Sequence, residues 1–152
     1  VPENHPNERL RHDVFADVNQ YINNRSSLNI DYRYYGDDWG VSSHAAGVKL
    51  NQYVTERLVF RYRYRYYTQA GATFYRDDYT TPGGVHGYMT GDYRLGDFGA
   101  HLFGGRVSWN TGQWLRRIGV AAPAQLMFSY ERYFNSNNFS ATIVETGLSI
   151  AF

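Results

Sequence analysis

The chain has 152 residues, a formal charge of +1 at pH 7 and no cysteine, and aromatic residues make up 18% of it. This length fits a single domain. Acidic and basic residues are intermixed, which argues against a nucleic-acid-binding protein or a polybasic membrane-surface protein, and the lack of cysteine removes disulfides and thiolate metal sites. No uncharged apolar run reaches the about 20 residues that a transmembrane helix needs. A membrane protein of this composition must cross the bilayer with β-strands.

The first third of the chain predicts a polar segment followed by three strands. Residues 1–9 are polar and contain two prolines, which is typical of an extended lead-in. We place a single β-barrel domain over residues 10–152. Apolar and polar side chains then alternate with the period of two that a strand shows. The three predicted strands are 10–22, 28–34 and 43–51.

The fourth predicted strand has the clearest pattern in the chain. Its apolar positions are Leu58, Phe60, Tyr62, Tyr64 and Tyr66, and they alternate with Arg61, Arg63 and Arg65. A helix would spread the three arginines around its circumference, whereas a strand places all of them on one face. The segment is therefore predicted to be a strand with one aromatic face and one basic face.

The remainder of the chain predicts a long loop and four more strands. The loop covers residues 68–86. Two hairpins follow it, with strands at 88–94, 98–109, 124–133 and 139–152. We expect a β-bulge near residues 103–105 and an irregular basic segment at 110–123. The total of about eight antiparallel strands suits a barrel, since roughly 9 to 11 tilted residues cross a bilayer.

Alternation alone leaves open which face of a barrel points inward. A small barrel has too little internal space for the aromatic residues of the fourth strand, whereas lipid accepts them. Tyrosines near strand ends also suit the aromatic girdles at membrane interfaces. The last strand places Leu148, Ile150 and Phe152 on one face. An ending of this kind resembles the signature that the assembly machinery of bacterial outer-membrane barrels recognises.

Several spaced motifs resemble those of one protein family. They are Tyr32-Arg33-Tyr34-Tyr35, Asp37-Asp38-Trp39-Gly40, Ser43-His44, Arg65-Tyr66-Tyr67-Thr68-Gln69 and Phe74-Tyr75. The chain is similar, most strongly over residues 1–79, to a family of bacterial outer-membrane proteins known only as a domain of unknown function. Members of that family are longer and carry these motifs in their C-terminal part. The resemblance implies the C-terminal portion of a larger transmembrane β-barrel in the bacterial outer membrane, and it brings no established activity.

The predicted strand count conflicts with the usual topology of such barrels. Counting eight strands back from a periplasmic C-terminus places the long loop 68–86 in the periplasm. Transmembrane barrels usually have short periplasmic turns and long external loops. Either this protein inverts the rule, or one strand is miscounted, and we expect such a miscount at residues 110–123.

The charged face of the strands is the first place to look for chemistry. The candidate lumen-lining residues are Asp31, Arg33, Lys49, Arg61, Arg63, Arg65 and Glu145. In one interpretation, they form cross-strand ion pairs that fill the lumen, because an Arg or Lys facing lipid at the midplane would cost about 2–4 kcal/mol. In the other, the three arginines of the fourth strand line a water-filled pore and favour anions.

Two other chemistries are weaker candidates. The acidic pairs that might hold a hard cation such as Ca²⁺ are Asp37-Asp38 and Asp77-Asp78. Their spacing does not match an EF-hand loop, and solvated turns are the simpler interpretation. A membrane phospholipase needs a serine and a histidine on one face, whereas the adjacent pair Ser43-His44 falls on opposite faces of a strand. No pattern indicates a cofactor.

The sequence thus predicts an outer-membrane β-barrel that is a pore or a structural membrane component with an arginine-lined lumen. One alternative is a membrane scaffold or anchor subunit of a larger envelope complex, with the loop 68–86 and the segment around Trp114 as contact surfaces. Another is a barrel enzyme such as a phospholipase. The expected partners are the lipid bilayer, the barrel assembly machinery during biogenesis and other envelope proteins, and nucleic acid is not expected.

Overall fold

The computed structural model describes residues 3–77, 87–111 and 124–150. They form one antiparallel sheet of seven strands, in which each strand pairs with the next along the chain. The strands are β1 (Arg11–Ile22), β2 (Ser26–Asp37), β3 (Ser42–Tyr53), β4 (Leu58–Ala70), β5 (Phe98–Asn110), β6 (Ala124–Asn135) and β7 (Ser140–Ile150). Each has 11 to 13 residues, whereas about 5–6 is common in globular sheets. The predicted all-β, antiparallel class is confirmed.

The sheet has one strand fewer than predicted. The predicted strand at 88–94 is wrong, because this segment makes only isolated bridges and then forms a short 3-10 helix, Tyr93–Leu95. The Asp92 carboxylate accepts a hydrogen bond from the backbone N–H of Arg94 at 3.1 Å and caps that helix, since short polar side chains compete with strand pairing in this way. One strand was therefore miscounted here, and most of the segment 110–123, where we expected the miscount, lies outside the described residues.

The ladders that join β4, β5 and β6 are continuous, so the predicted β-bulge near residues 103–105 is wrong. The sequence suggests a bulge because apolar residues occupy both faces at the start of β5. In the structure, the Phe98 ring lies 5.3 Å from the ring of Tyr67, and Ala100 is buried. Apolar residues on the second face thus reflect local packing near one end of the sheet, not a slip in register.

A small cap covers one end of the sheet. Antiparallel pairing puts the connections after β2, β4 and β6 at this end, which we call the cap end, and puts the last residue of β7 at the other. The cap consists of the described residues 3–10, 38–41, 71–77 and 87–97. Its buried cluster contains Val41, Ala72 and Phe74, and the ring centroids of Trp39 and Phe74 are 5.4 Å apart. The cap therefore has its own apolar core.

The register gives the sheet two chemically different faces, because directly paired residues point to the same side. We call the side that carries Lys49 and Arg63 the charged face, and the side that carries Val48 and Tyr64 the apolar face. Every charged residue of the seven strands except Arg132 lies on the charged face. Strict alternation within strands and continuous pairing between them produce this segregation.

Burial is inverted relative to a water-soluble sheet. On β6, Ser129 of the charged face is 3% exposed, whereas Phe128 and Tyr130 of the apolar face are 49% and 47% exposed. On β3, Ser43 is buried and Val48 is 39% exposed. No second layer covers the apolar face among the described residues, although a sheet in water normally packs its apolar side against one.

Both outer strands have an open edge within the described part of the chain. β1 pairs with β2 alone and β7 with β6 alone, so these residues form an open sheet and not a closed barrel. In the described ranges, no helix is long and apolar enough to cross a membrane.

Candidate functional site

The candidate lumen-lining residues all lie on the charged face. They are Asp31, Arg33, Lys49, Arg61, Arg63, Arg65 and Glu145. Side chains along a strand alternate between its two faces, so candidate residues that are two apart in one strand point to the same side. The register then aligns the sides of neighbouring strands, so residues far apart in sequence share one surface.

Charge on this face is divided into bands. The three central strands carry only basic charge, which we call the basic stripe: Lys49, Arg61, Arg63, Arg65 and Arg106. Acidic residues lie on the strands to either side: Asp13, Asp17, Asp31, Asp37, Glu131 and Glu145. A positive band thus runs between two bands that contain all the carboxylates of the charged face.

Two ion pairs reach across an intervening strand. Arg63 Nη1 of β4 lies 3.2 Å from Glu131 Oε1 of β6, and Arg106 Nη2 of β5 lies 3.5 Å from Glu145 Oε2 of β7. Neighbouring strands are about 4.7–4.9 Å apart, so these side chains must lean over the strand between them. Gly104, which pairs with both Arg63 and Glu131, has no side chain to block the first pair. Sequence reasoning missed this role of the glycine.

Other carboxylates of the charged face pair with the adjacent strand. Arg33 Nε donates to Asp13 Oδ1 at 2.9 Å, and Lys49 Nζ lies 3.5 Å from Asp31 Oδ1. Asp31 lies directly over Gly47, where a Cβ atom would be 2.5 Å from Asp31 Oδ1. A second glycine on this face therefore also makes room for a charged side chain.

Arg61 and Arg65 have no carboxylate partner among the described residues. Arg61 Nε donates to the amide oxygen of Asn51 at 2.7 Å, and half-buried Arg65 makes no hydrogen bond or ion pair with the described part of the chain. A guanidinium stays charged at all ordinary pH values. Arg63 thus fits the ion-pair interpretation, whereas Arg61 and Arg65 leave positive charge without a carboxylate beside it.

A cleft of about 650 Å³ lies between the cap and the charged face. Arg65 and Tyr67 line it from the sheet, and Trp39 and Arg94 line it from the cap. Its volume falls within the roughly 300–1,000 Å³ of small-molecule pockets. The cap therefore narrows the space over the charged face at this end without filling it.

Asp37 organises the cap. Its side chain has no exposed surface, and its Oδ2 atom accepts hydrogen bonds from Arg9 Nη2 at 2.5 Å and from the Tyr35 hydroxyl at 2.7 Å. Its Oδ1 atom accepts the backbone N–H groups of Trp39 and Val41, each at 3.0 Å. Both carboxylate oxygens are thus engaged by donors. Sequence reasoning missed Arg9 because it lies in the polar lead-in, 28 residues from its partner.

The other acidic residues that were candidate metal ligands do not form a cluster among the described residues. Asp38 Oδ1 accepts the backbone N–H of Leu10 at 3.0 Å, and Asp77 accepts a hydrogen bond from the Tyr75 hydroxyl. Asp78 lies outside the described residues. In the part of the chain that the structure describes, no three histidine or carboxylate side chains are close enough together to hold a metal ion.

Asp92 and Arg94 form an ion pair on the cap, with 2.8 Å between Arg94 Nη2 and Asp92 Oδ2. Hydrogen bonds from the Arg94 side chain and backbone hold the pKa of the Asp92 carboxyl below its ordinary value. The carboxylate offsets the positive charge that Arg94 brings to the cleft.

Ser43 and His44 lie on opposite faces of β3, as expected. Ser43 is buried on the charged face, whereas His44 Nδ1 on the apolar face lies 2.6 Å from the Tyr32 hydroxyl. His101 Nδ1 is similarly 3.0 Å from the Tyr64 hydroxyl. Among the described residues, no histidine ring hydrogen-bonds to a serine, so the geometry there gives no support to a serine hydrolase.

The predicted assembly signal is described in part. Leu148 and Ile150 lie on the apolar face at the end of β7, and both are exposed. Phe152 lies outside the described residues, as do the segment around Trp114 and part of the predicted loop 68–86.

Comparison with known protein families identifies the family. The sequence model of a family described as protein of unknown function, DUF3570, matches residues 1–138. The chain belongs to this family. The predicted resemblance to a domain of unknown function is thereby confirmed, and the DUF3570 match includes every strand from β1 to β6. No curated protein and no solved structure matches the chain.

Proposed function

We propose that this chain forms part of the wall of an outer-membrane β-barrel, with the apolar face in lipid and the charged face toward a water-filled interior that favours anions. The inverted sheet carries this proposal. Charge is confined to one face except at Arg132. On β2, β3 and β6 this face is the more buried one, and large apolar side chains of the other face are exposed. In water, an apolar patch of this extent favours aggregation, whereas in lipid it is the stable arrangement.

The composition of the apolar face along the strands supports the same proposal. Its central positions are Val18, Ile30, Val48, Tyr64, Phe103, Phe128 and Val144. Nearer the cap end, His44 lies 5.1 Å from the ring of Tyr34, and His101 lies 5.0 Å from the ring of Tyr66. Arg132 pairs directly with Phe103, but its guanidinium extends toward the cap end and donates to the hydroxyls of Thr142 and Ser140. A long charged side chain can reach the interface in this way, and the cost of an arginine falls toward the interface. An apolar band bordered by aromatic and polar side chains suits a bilayer.

The open edges of β1 and β7 belong to the same proposal. Backbone N–H and C=O groups without partners cannot persist in the hydrocarbon region. Further strands must therefore pair with both edges and complete the wall. This requirement agrees with the prediction that the chain is the C-terminal portion of a larger barrel.

The count of seven strands changes the side on which the long connection after β4 lies, and so removes the conflict that the eight-strand prediction had at this connection. If β7 ends in the periplasm, the cap and its long connection, residues 71–97, lie outside the cell. The short turns at 23–25 and 54–57 then lie in the periplasm, together with the longer connection 111–123. The position of the connection 71–97 follows the usual rule for transmembrane barrels, whereas that of 111–123 departs from it.

Anion preference follows from the basic stripe. Rings or rows of charged side chains favour permeating ions of opposite sign. Two of the stripe's side chains, Arg61 and Arg65, have no carboxylate partner in the described part of the chain. The positive field they produce is therefore not cancelled locally.

Conductance in planar bilayers tests the proposal. Under a KCl gradient, we expect a reversal potential that shows anion preference, and replacing Arg61, Arg63 and Arg65 with serine should lower it. Arg132→Ser removes one arginine from the apolar face and should leave the preference unchanged. Cation preference in the unmodified protein would contradict the role of the stripe. If the protein is found in the outer membrane but does not conduct, the pore is overturned and the membrane scaffold is favoured. If the protein is recovered in the soluble fraction, both the pore and the scaffold are overturned.

A further inference from the structure

A small cavity lies within the basic stripe, near the middle of the charged face. Its volume is about 220 Å³, and it is lined by Lys49, Arg61, Arg63, Gly104, Arg106 and Glu131. This is smaller than the roughly 300–1,000 Å³ of pockets for drug-sized ligands. The cavity therefore suits a small ion rather than an extended molecule.

Gly104 forms the floor of this cavity. It pairs directly with Arg63 on one side and with Glu131 on the other. A Cβ atom at this position would lie 3.1 Å from the Cγ and Oε1 atoms of Glu131. The longer side chains around it thus extend over a position that carries no side chain of its own.

Like charges oppose each other around the cavity. Lys49 pairs directly with Arg63, and Arg61 pairs directly with Arg106. Like charges in directly opposed positions are destabilising. Glu131 is the one carboxylate among the residues that line the cavity, and Asp31 and Glu145 contact Lys49 and Arg106 from outside it. Arg61 has no carboxylate partner in the described part of the chain, so the lining keeps an excess of positive charge. A bound anion would relieve this repulsion.

We propose that this cavity binds inorganic phosphate, held by the guanidinium groups of Arg61, Arg63 and Arg106 and the ammonium group of Lys49. Planar guanidinium groups recognise oxyanions through paired, charge-assisted hydrogen bonds. The inference rests on the proposed function in one respect, because the charged face must be open to water.

Glu131 selects among oxyanions. An ionised carboxylate is an acceptor only, so it repels an anion that carries no proton. Phosphate near neutral pH keeps at least one P–OH group, which donates a hydrogen bond to the carboxylate. Sulfate has no proton to donate under the same conditions. The site therefore prefers phosphate to sulfate, although both have the same tetrahedral shape.

Isothermal titration calorimetry of the detergent-solubilised protein tests this site, with inorganic phosphate, sulfate and chloride as the probes. We expect saturable phosphate binding that is at least about tenfold tighter than sulfate binding. The reason is that phosphate donates a hydrogen bond to Glu131, whereas sulfate is repelled by the same carboxylate. The proposal is overturned if the unmodified protein shows no saturable phosphate binding, or if it binds chloride as tightly as phosphate.

Four variants define the site. Arg61→Gln should weaken phosphate binding about tenfold, whereas Arg132→Gln, which removes the same charge from the apolar face, should leave it unchanged. Gly104→Ala keeps the net charge and should also weaken binding, because a methyl group enters the floor. Glu131→Gln should bring the affinities for phosphate and sulfate together. Unchanged binding in Gly104→Ala would indicate a diffuse field instead of a shaped site.

The calorimetric measurement separates this inference from the pore. Anion-selective conductance without phosphate binding would overturn the site and leave the pore. Phosphate binding without conductance would overturn the pore and leave the site.

Discussion

Placing a charge on the apolar face at two depths distinguishes a lipid-facing sheet from one that faces water. Val48 lies near the middle of β3, and Ser42 begins the same strand on the same face, at the cap end. We compare Val48→Arg with Ser42→Arg. Both substitutions introduce the same side chain, so their difference reports the environment at each depth.

The size of the effect follows from strand geometry. Six residues at about 3.4 Å each separate the two positions by about 20 Å along the strand, which is about 14 Å of depth for a strand tilted about 45°. With Val48 near the midplane, Ser42 lies at the edge of an apolar band about 25 Å tall. Arginine should then destabilise the protein by about 2–4 kcal/mol at Val48 and by about 0–1 kcal/mol at Ser42.

Urea unfolding of the protein in lipid vesicles measures both free energies of unfolding. In water, surface substitutions usually change stability by less than about 0.5 kcal/mol, and the two positions would behave alike. A difference between the variants of less than about 0.5 kcal/mol would therefore refute the assignment of the apolar face to lipid.

Further predictions concern the glycines and the cap. Gly47→Ala should destabilise the protein by about 1–3 kcal/mol, because the new Cβ would displace Asp31, whereas Gly105→Ala, which meets nothing within 4 Å, should stabilise it by about 0.5–1 kcal/mol. Equal effects of the two variants in urea titrations would contradict this packing. Asp37→Ala should weaken the cap by about 3 kcal/mol, because buried donors lose their acceptor. Hydrogen exchange should then rise in the cap and not in β5 to β7, and a uniform rise would contradict the local role.

The strands could be predicted from the sequence because their signal is local. In β4, each arginine lies between two apolar residues, so three consecutive pairs suffice to assign both faces. The same reasoning placed Asp31, Lys49 and Glu145 on the charged face, and the register agrees. Alternation needs no knowledge of the partner strand.

The cap could not be predicted in this way because its contacts are not local. Asn4 bridges to Met89, 85 residues later, and Arg9 binds Asp37 across 28 residues. The segment 88–94 contains strand-forming residues, but Asp92 hydrogen-bonds to its own backbone neighbour and ends any extended run there. Pairing with distant segments decides such cases, and alternation gives no information about it.

Gly104 shows why the sequence predicts a face but not a site. A glycine within a strand indicates either a bulge or the close approach of another group, and nothing in β5 itself distinguishes the two. The distinction depends on Arg63 of β4 and Glu131 of β6, which are 68 residues apart and meet above the glycine only when all three strands are in register. Alternation assigns each charge to a side, whereas the empty position between two long side chains determines which charges meet and where an anion fits.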